Sequence, residues 1–308
     1  MVDATLKRHF ERAGVGVIGL GEGATFFAQE AVRSDAPVIV VAAPATTRRT
    51  PFRVEWPVSA NALPALHDHM VQGRIVLPVA VVLERILRAA RGVASSPDAT
   101  IAVRDLHVLS GITIGAEEDE AVHLSMAFDP KGAGYGVTIR DAGHRLRYRA
   151  TVEWSDLAVI SAPAAASSAP WRVAVSAVYD GPLFHGPRFA ALAALEDGGA
   201  RLKSLVDLGW PLEPWAMDPA AIDGGLQLGL LWAHGDMRPL MLPQKITSFT
   251  QRGTRAVDEP LRCRIGARPV SDKRVDFDLV FETLSGAVVA VLTGAEFYAV
   301  GSAPTATP

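Results

Sequence analysis

The sequence predicts an α+β protein in which two similar blocks each combine an antiparallel sheet with one central helix. The chain has 308 residues, of which 49% are hydrophobic, so there is enough apolar material for about two domain-sized cores. Strands with alternating apolar and polar residues recur in both blocks, for example at 146–154 and at 275–281. Each block also contains one long helical pattern. No sequence identity relates the blocks, so the duplication is inferred from the order of the elements.

The two long helical patterns begin with recognisable start signals. The first follows Pro78, expected at the first helical position, and ends at Gly92. Its pattern directs apolar residues inward and places three charged residues outward, namely Glu84, Arg88 and Arg91. The second helix is expected to begin with Asp218 as N-cap and Pro219 as first residue. Because it is apolar on nearly all faces, we expect it to be buried.

Composition divides the chain into five segments. Residues 1–45 have the pattern of a helix, a glycine-rich turn, a second helix and a strand. The strand-rich blocks occupy 46–158 and 171–300, and each contains one of the long helices. The run of Ala, Ser and Pro at 159–170 predicts a linker, and the residues 301–308 predict a disordered tail.

Charge and cysteine content exclude several classes of protein. The net charge is −3, which provides no electrostatic basis for binding nucleic acid or an anionic membrane. The single cysteine, Cys263, cannot form an internal disulfide and is compatible with a reducing compartment. No apolar run approaches the ~20 residues of a membrane span, and the first ten residues lack a signal-peptide core. We therefore expect a cytoplasmic globular protein.

Two apparent ligand motifs do not predict a cofactor or a metal. Gly14, Gly16 and Gly19 match the G-x-G-x-x-G pattern of dinucleotide sites, but that site needs a preceding strand, and here a helical pattern precedes the glycines. A glycine-rich connection explains them better. His67 and His69 could face one side of a strand, yet no third ligand is evident in the sequence. We predict neither a bound cofactor nor a metal.

A histidine segment carries the first chemical signal. His69, Gly73 and Pro78 follow the pattern H-x(3)-G-x(4)-P and lead directly into the first long helix. A histidine beside an aspartate is, by itself, more often a surface or core residue than a catalyst. Here the imidazole precedes a glycine whose backbone can approach a ligand, and a helix N-terminus whose free N–H groups can stabilise a carbonyl that gains negative charge.

The second signal lies at the start of the second long helix. Asp223 and Gln227 are four residues apart, so they share a helix face and can form a hydrogen bond. A carboxylate on an apolar helix is costly unless it is paired or functional. Gly224 and Gly225 weaken the helix, which indicates the close approach of another segment or of a ligand.

Together with a third segment, these patterns resemble the dehydratase domains of polyketide synthases. His69 matches the histidine of that family's H-x(3)-G-x(4)-P motif, and Asp223 with Gln227 matches its D-x(3)-[QH] motif. The segment 186–189, which begins with Gly186 and Pro187, matches the end of a G-Y-x-Y-G-P-x-F motif. Leu242-Pro243 with Ile246 is similar to an L-P-x-x-I element. The resemblance covers about 52–300 and implies a double hotdog fold.

Two features distinguish this chain within the resemblance. His185 stands where the family has the tyrosine before Gly-Pro, so this side chain is expected either to replace the tyrosine as a donor or only to pack. The segment after Val76 is most similar to dehydratases of polyunsaturated fatty acid synthases and related iterative synthases. Residues 1–45 are similar to the last helix and strand of a ketoreductase domain, without the rest of that domain.

The resemblance implies dehydration of a 3-hydroxyacyl thioester that is held on the phosphopantetheine arm of an acyl carrier protein. His69 would be the base and Asp223 the proton donor, with Gln227 fixing its rotamer. The Gly73 N–H and the helix that starts at Pro78 would hold the enolate oxygen.

The other matched residues would position the substrate: His185, Gly186, Pro187, Leu242 and Pro243. Expected partners are the carrier protein and a neighbouring ketoreductase domain, and a homodimer is compatible with the sequence. Three alternatives remain: a product-template-type cyclase, a hotdog thioesterase and a catalytically silent acyl-binding module.

Overall fold

The computed structural model describes residues 49–94, 96, 98–115, 121–155, 171, 173–211, 214–235, 240–253 and 259–300, together with Gly21 and Ala24. The chain divides into two compact units, residues 1–50 and 51–308. The predictions for 1–45 other than at Gly21 and Ala24, for the linker 159–170 and for the tail 301–308 lie outside the described residues.

The first half of the larger unit is a five-stranded sheet around one helix. The main strands occur in the order β1-β6-β7-β8-β4, and β2, β3 and β5 form a separate small sheet. The elements are β1 (Phe52–Val58), β2 (Met70–Val71), β3 (Arg74–Val76), α1 (Val79–Arg91), β4 (Thr100–Val108), β5 (Thr113–Ile114), β6 (Val122–Lys131), β7 (Gly134–Asp141) and β8 (Leu146–Ser155).

The second half repeats this plan with six strands in the order β11-β14-β13-β12-β10-β9. Its elements are β9 (Leu192–Glu196), β10 (Gly199–Leu202), α2 (Pro219–Gly235), β11 (Met241–Arg252), β12 (Leu261–Ser271), β13 (Arg274–Thr283) and β14 (Val288–Ala299). The strand patterns predicted in both blocks are therefore confirmed. The two central helices contact each other.

The two sheets are joined edge to edge. Strand β4 pairs antiparallel with β11, with Val103 opposite Phe249, so the eleven strands form one continuous sheet. This pairing removes an exposed edge from each half, and an unpaired edge would leave a row of backbone donors and acceptors free. The prediction of two separate sheets is refined to one fused sheet with two helices.

Glycines on helix α2 leave no room for a Cβ atom against the neighbouring side chains. A Cβ atom on Gly225 would lie 2.7 Å from Cζ of Phe281, and one on Gly229 would lie 2.3 Å from Phe277. On the other side of the helix, a Cβ on Gly224 would meet Ala191 at 2.9 Å. The predicted close approach is therefore made by the protein core.

The helix starts confirm one prediction and correct another. Ala221 N–H donates to Asp218 Oδ1 at 2.8 Å, so Asp218 is the N-cap that the sequence predicts. Pro78 is the N-cap of α1 rather than its first residue, with extended backbone (φ −64°, ψ 139°). Its carbonyl accepts from Val81 and Val82 N–H groups, which begins the helix.

The outward placement of Glu84 is wrong, because its side chain is 0% exposed. Its carboxylate accepts from Ala216 N–H at 2.9 Å and pairs with Arg88 at 3.1 Å. Gln251 donates to the Ala216 carbonyl at 2.6 Å, so this peptide unit is held on both sides. Glu84 thereby ties α1 to the segment just before α2. Within the described part of the chain, no helix combines the length and apolar character needed to cross a membrane.

Candidate active site

His69 is held in the form of a free base. It follows a 3₁₀ turn, Pro64–Asp68, and its ring Nδ1 lies 2.7 Å from the carbonyl oxygen of Val76. Because a carbonyl oxygen can only accept, Nδ1 carries the hydrogen and Nε2 keeps its lone pair. Burial lowers the pKa of His69 to about 4, although the Val76 hydrogen bond opposes this shift. The ring is therefore neutral at neutral pH.

Asp223 differs from His69 in that burial favours its protonated form. It lies on the buried helix α2, and burial raises its pKa to about 7, while a hydrogen bond from Gln227 partly offsets that rise. Gln227 Nε2 donates to Asp223 Oδ2 at 2.8 Å, which confirms the hydrogen bond predicted from their spacing. No cation pairs with Asp223 among the described residues.

His185 lies beside the same carboxyl group. Its Nε2 lies 3.3 Å from Asp223 Oδ2, and its Nδ1 has no hydrogen-bond partner in the part of the chain that the structure describes. A buried lone pair costs less than a buried N–H without an acceptor, so the hydrogen belongs on Nε2. Burial, and then the nearby His69, hold the pKa of His185 well below its usual value. His185 is therefore a neutral ring whose Nε2 lies beside Asp223.

Both of these contacts end on one carboxyl oxygen. Gln227 Nε2 and His185 Nε2 approach Oδ2 of Asp223. When the carboxyl group is protonated, its hydrogen therefore belongs on Oδ1, since Oδ2 already accepts from Gln227 Nε2 and lies against the His185 ring. Oδ1 is thus the oxygen that can donate to a ligand.

A pocket of about 290 Å³ brings the base and the acid together. His69, His185, Asp223 and Gln227 all lie in its wall, and its other polar residues are Ser110, Tyr148 and Gln244. The rest of the wall is mostly apolar and includes Val71, Val76, Leu77, Val79, Leu226, Leu230, Leu242, Pro243 and Phe297. Leu242 and Pro243, which the sequence predicts to position the substrate, are thus part of this wall, and the lining suits an acyl chain.

Gly73 does not reach this pocket, contrary to the prediction that its N–H holds a reacting oxygen. It lies at the exposed tip of the β2–β3 hairpin, outside the pocket wall. Gln72 and Gly73 form the two-residue turn with φ of 51° and 76°. Such a turn requires left-handed backbone, which explains the glycine without a ligand.

Three other predicted residues act on the site through the backbone. Pro78 sets the start of α1, and its neighbours Leu77 and Val79 line the pocket in its place. Gly186 donates its N–H to the Asp68 carbonyl at 2.7 Å, and a Cβ on Gly186 would lie 2.6 Å from Asp68 Oδ1. Pro187 begins the 3₁₀ turn that follows.

The backbone contact at Gly186 has a direct consequence for the site. It holds the strand segment of His185 against that of His69, and these two residues form an isolated antiparallel bridge. Gly186 and Pro187 themselves lie outside the pocket wall.

Sequence reasoning missed two tyrosines at the site. Tyr148 lines the pocket from β8, on the inward face that the strand alternation predicts, but alternation alone does not mark a site residue. Tyr179 hydrogen-bonds Gln227 from a loop segment that no motif covers. The only sequence signal for Tyr179 is its position shortly before the Gly186-Pro187 segment.

The same polar groups form the one cluster of metal-ligating type among the described residues. Ligand atoms of His69, His185 and Asp223 all lie within 4.8 Å of one another. The third ligand that the sequence lacked beside His69 thus comes from distant segments. Two neutral imidazoles and one carboxyl group suit a borderline metal ion, but they also suit a base and an acid without one.

Two family models match this chain. A model of the polyketide synthase dehydratase domain matches residues 41–169, and one described as the polyketide synthase dehydratase N-terminal domain matches residues 158–307. Together they include both halves of the sheet and all residues of the pocket. The chain belongs to the polyketide synthase dehydratase family. A dehydratase of this family is a hydro-lyase domain within a multidomain synthase.

This dehydratase is also similar to a curated protein from Thraustochytrium sp., which is one subunit of a polyunsaturated fatty acid synthase. The two are 27% identical over 299 aligned positions, which cover 84% of this chain and 10% of that protein. The chain therefore spans about a tenth of the relative that it matches.

Solved structures confirm the double hotdog fold. The dehydratase domain from the CurJ module of curacin polyketide synthase superposes with a TM-score of 0.65 at 17% identity and covers 82% of this chain and 94% of that one. The dehydratase domain of RzxB from Pseudomonas fluorescens gives a TM-score of 0.60 at 20% identity, covering 80% of this chain and 93% of that one.

Proposed function

We propose that this dehydratase removes water from a 3-hydroxyacyl thioester on an acyl carrier protein and forms a 2-enoyl thioester. The observation that carries the proposal is that one mostly apolar pocket holds an unprotonated base, His69, and a protonated acid, Asp223. Neutral His69 presents a free Nε2, and Asp223 holds a proton that it can release. Removal of an α proton and protonation of a departing hydroxyl need this combination.

The base step begins at His69. Its Nε2 takes the proton from the carbon next to the thioester carbonyl, and the electron pair moves onto the carbonyl oxygen. The N-terminus of α1 stabilises that oxygen, because the first helical residue, Val79, lines the pocket and the first N–H groups of a helix have no intrahelical acceptor. This replaces the expected role of Gly73.

The acid step is completed by Asp223. Its Oδ1 gives a proton to the 3-hydroxyl group as the carbon–oxygen bond breaks, and the enolate electrons form the double bond between carbons 2 and 3. One water leaves, His69 carries the proton taken from the substrate, and Asp223 is ionised. Return of one proton from His69 to Asp223, directly or through solvent, restores the starting state.

His185 and Gln227 prepare Asp223 for this step. Gln227 donates to Oδ2 and so stabilises the carboxylate that forms when the proton leaves, and the neutral His185 ring lies 3.3 Å from the same oxygen. In this proposal His185, which lines the pocket, replaces the family tyrosine as a donor.

The proposal includes partners that the domain requires. The substrate is presented on the phosphopantetheine arm of a carrier protein, and a ketoreductase domain that supplies the 3-hydroxyl group is the expected neighbour. Similarity to part of a polyunsaturated fatty acid synthase supports a fatty acid or polyketide product. A cytoplasmic location, homodimerisation and chemistry without a metal or cofactor are further parts of the proposal.

Mass spectrometry of a carrier protein loaded with 3-hydroxyacyl chains tests the reaction. The full chain should remove one water from the loaded carrier, and His69→Ala should remove none in the same time. Hydrolysis of the thioester would contradict the proposal and favour a thioesterase. Cyclised product, or no change at any chain length, would contradict it in favour of a cyclase or a silent acyl-binding module.

A further inference from the structure

We propose that Tyr179 is a positioning residue that orients the Gln227 amide and thereby fixes which oxygen of Asp223 holds the transferable proton. This inference rests on the proposed dehydration and extends it to a residue outside the matched motifs. Tyr179 is absent from the pocket wall, so it does not contact the substrate there. It acts through a chain of hydrogen bonds that begins at the backbone.

The backbone sets the direction of this chain. The N–H of Leu192, the first residue of β9, donates to the Tyr179 hydroxyl oxygen at 2.8 Å. Since the hydroxyl oxygen accepts from Leu192, its own hydrogen is free for another acceptor. The Tyr179 hydroxyl donates to Gln227 Oε1 at 2.8 Å. A backbone N–H cannot become an acceptor, so the direction cannot reverse.

The amide of Gln227 is then restricted to one orientation. Gln227 is 0% exposed, and its Nε2 donates to Phe189 O at 2.7 Å and to Asp223 Oδ2 at 2.8 Å. A flipped amide would place its oxygen against the Phe189 carbonyl and Asp223. Two facing acceptors without a hydrogen between them are unfavourable in a buried site. Tyr179 at Oε1 and the Phe189 carbonyl at Nε2 therefore act together to place an N–H on Oδ2 of Asp223.

This constraint affects the acid in two ways. First, an N–H on Oδ2 leaves Oδ1 as the site of the proton, on the oxygen that accepts from no donor among the described residues. Second, donation from Gln227 favours the ionised carboxyl group and so limits the rise in the pKa of Asp223 that burial causes. Burial also raises the pKa of Tyr179, and the charge of Asp223 adds to that rise. The phenol thus stays protonated and remains a donor.

The direct test is the variant Tyr179→Phe, compared with Tyr298→Phe. Tyr298 also donates to a carboxylate, Glu296, at 3.3 Å, but it lies outside the pocket wall. We expect Tyr179→Phe to lower kcat about tenfold with KM within about twofold, since only the acid is disturbed. The alkaline limb of the kcat–pH profile should move up by about one pH unit, because Gln227 loses the partner of its Oε1 and is held less firmly against Asp223.

Tyr298→Phe should leave both quantities as in the wild type. A role of Tyr179 in folding alone would lower the active fraction without moving the alkaline limb. An unmoved limb in Tyr179→Phe therefore overturns the proposal, whatever the loss in kcat.

A double variant tests the route through Gln227. Once Gln227→Ala has removed the amide, adding Tyr179→Phe should lower kcat by less than about twofold. A full further tenfold loss would mean that Tyr179 acts independently of Gln227, which also overturns the proposal.

A measurement without turnover separates this inference from the proposed reaction. In full-length protein with ¹³C-labelled aspartate carboxyl groups, the Asp223 signal can be assigned by its loss in Asp223→Asn. Its titration midpoint should be about one pH unit higher in Tyr179→Phe than in the wild type. If the wild type fails to dehydrate any substrate but this shift occurs, the proposed function fails and the positioning role stands. If dehydration occurs without the shift, only the positioning role fails.

Discussion

The two central helices each bury one carboxyl side chain, and the partners of these two groups differ. Glu84 on α1 pairs with Arg88 and accepts from a backbone N–H, so its charge is compensated. Asp223 on α2 accepts from the neutral Gln227 amide and lies beside the neutral His185 ring, and no cation pairs with it among the described residues. Burial raises the pKa of both, but a cation opposes the rise at Glu84 and none does at Asp223. The comparison separates a structural carboxylate from one that can release a proton.

The largest effect is expected when the acid on α2 is removed. Asp223→Asn keeps the shape of the side chain and removes the transferable proton, so kcat should fall about 10²–10⁴-fold. The melting temperature should stay equal or rise, because a costly buried carboxyl group is removed. Steady-state kinetics and thermal unfolding measure the two quantities. Retention of more than a tenth of the wild-type kcat would remove Asp223 from the proposed mechanism.

The pH dependence sharpens the comparison further. His69 must be neutral, and since burial lowers its pKa to about 4, kcat should rise as pH increases through that value. Asp223 must be protonated, and since burial raises its pKa to about 7, kcat should fall above that value. Measuring kcat from pH 4 to 9, with an enzyme-stability control at each pH, tests this. A rate that keeps rising above pH 8 would contradict the assignment of Asp223.

The corresponding change on α1 should lower the stability of the protein and leave kcat nearly unchanged. Glu84→Gln retains an oxygen for Ala216 N–H but loses the pairing with Arg88, so we expect a loss of about 1–3 kcal/mol in unfolding free energy. For the folded fraction, kcat should stay within about threefold, as Glu84 lies outside the pocket that holds Asp223. Urea denaturation and active-site titration supply these values. A loss of kcat as large as that of Asp223→Asn would mean that the two carboxyl groups are not distinct in role.

A smaller, local effect tests how closely α2 is packed. In Gly225→Ala the new methyl group would lie 2.7 Å from the buried Phe281 ring, so stability should fall by about 1–3 kcal/mol. Gly181→Ala is the matched control, because a Cβ there meets nothing within 4 Å. Equal stability of the two variants in urea denaturation would show that the Phe281 ring moves aside without a loss in the free energy of unfolding.

The smallest effect is expected at the β2–β3 hairpin, in the half of the fold that carries His69. Gly73→Ala places a methyl group in open space but in left-handed backbone, so stability should fall by about 1 kcal/mol. The kcat of this variant should stay within about twofold of the wild type, since Gly73 lies outside the pocket wall. A loss of kcat above tenfold would return Gly73 to the site that the sequence predicted for it.

Local patterns in the sequence determined the elements and some of the chemistry. Alternation predicted β8 and β13, and the Asp218-Pro219 pair predicted the start of α2, because these features depend on neighbouring residues only. The spacing of Asp223 and Gln227 predicted their hydrogen bond for the same reason. The motif resemblance brought His69 and Asp223 into one hypothesis, although their roles in catalysis stay predictions.

Tertiary structure alone decided the features that join distant segments. The pairing of β4 with β11 depends on backbone edges that carry no sequence signature, so the fused sheet was not predictable. The burial of Glu84 follows from its contact with Ala216 in the other half of the fold. The periodicity of a helix cannot predict a contact with a distant segment. The protonation state of Asp223 depends on Gln227, which lies on α2, and on Tyr179 and His185, which lie in the segment before β9. A sequence determines which groups are present, but their pKa values depend on burial and neighbours, which only the folded chain supplies.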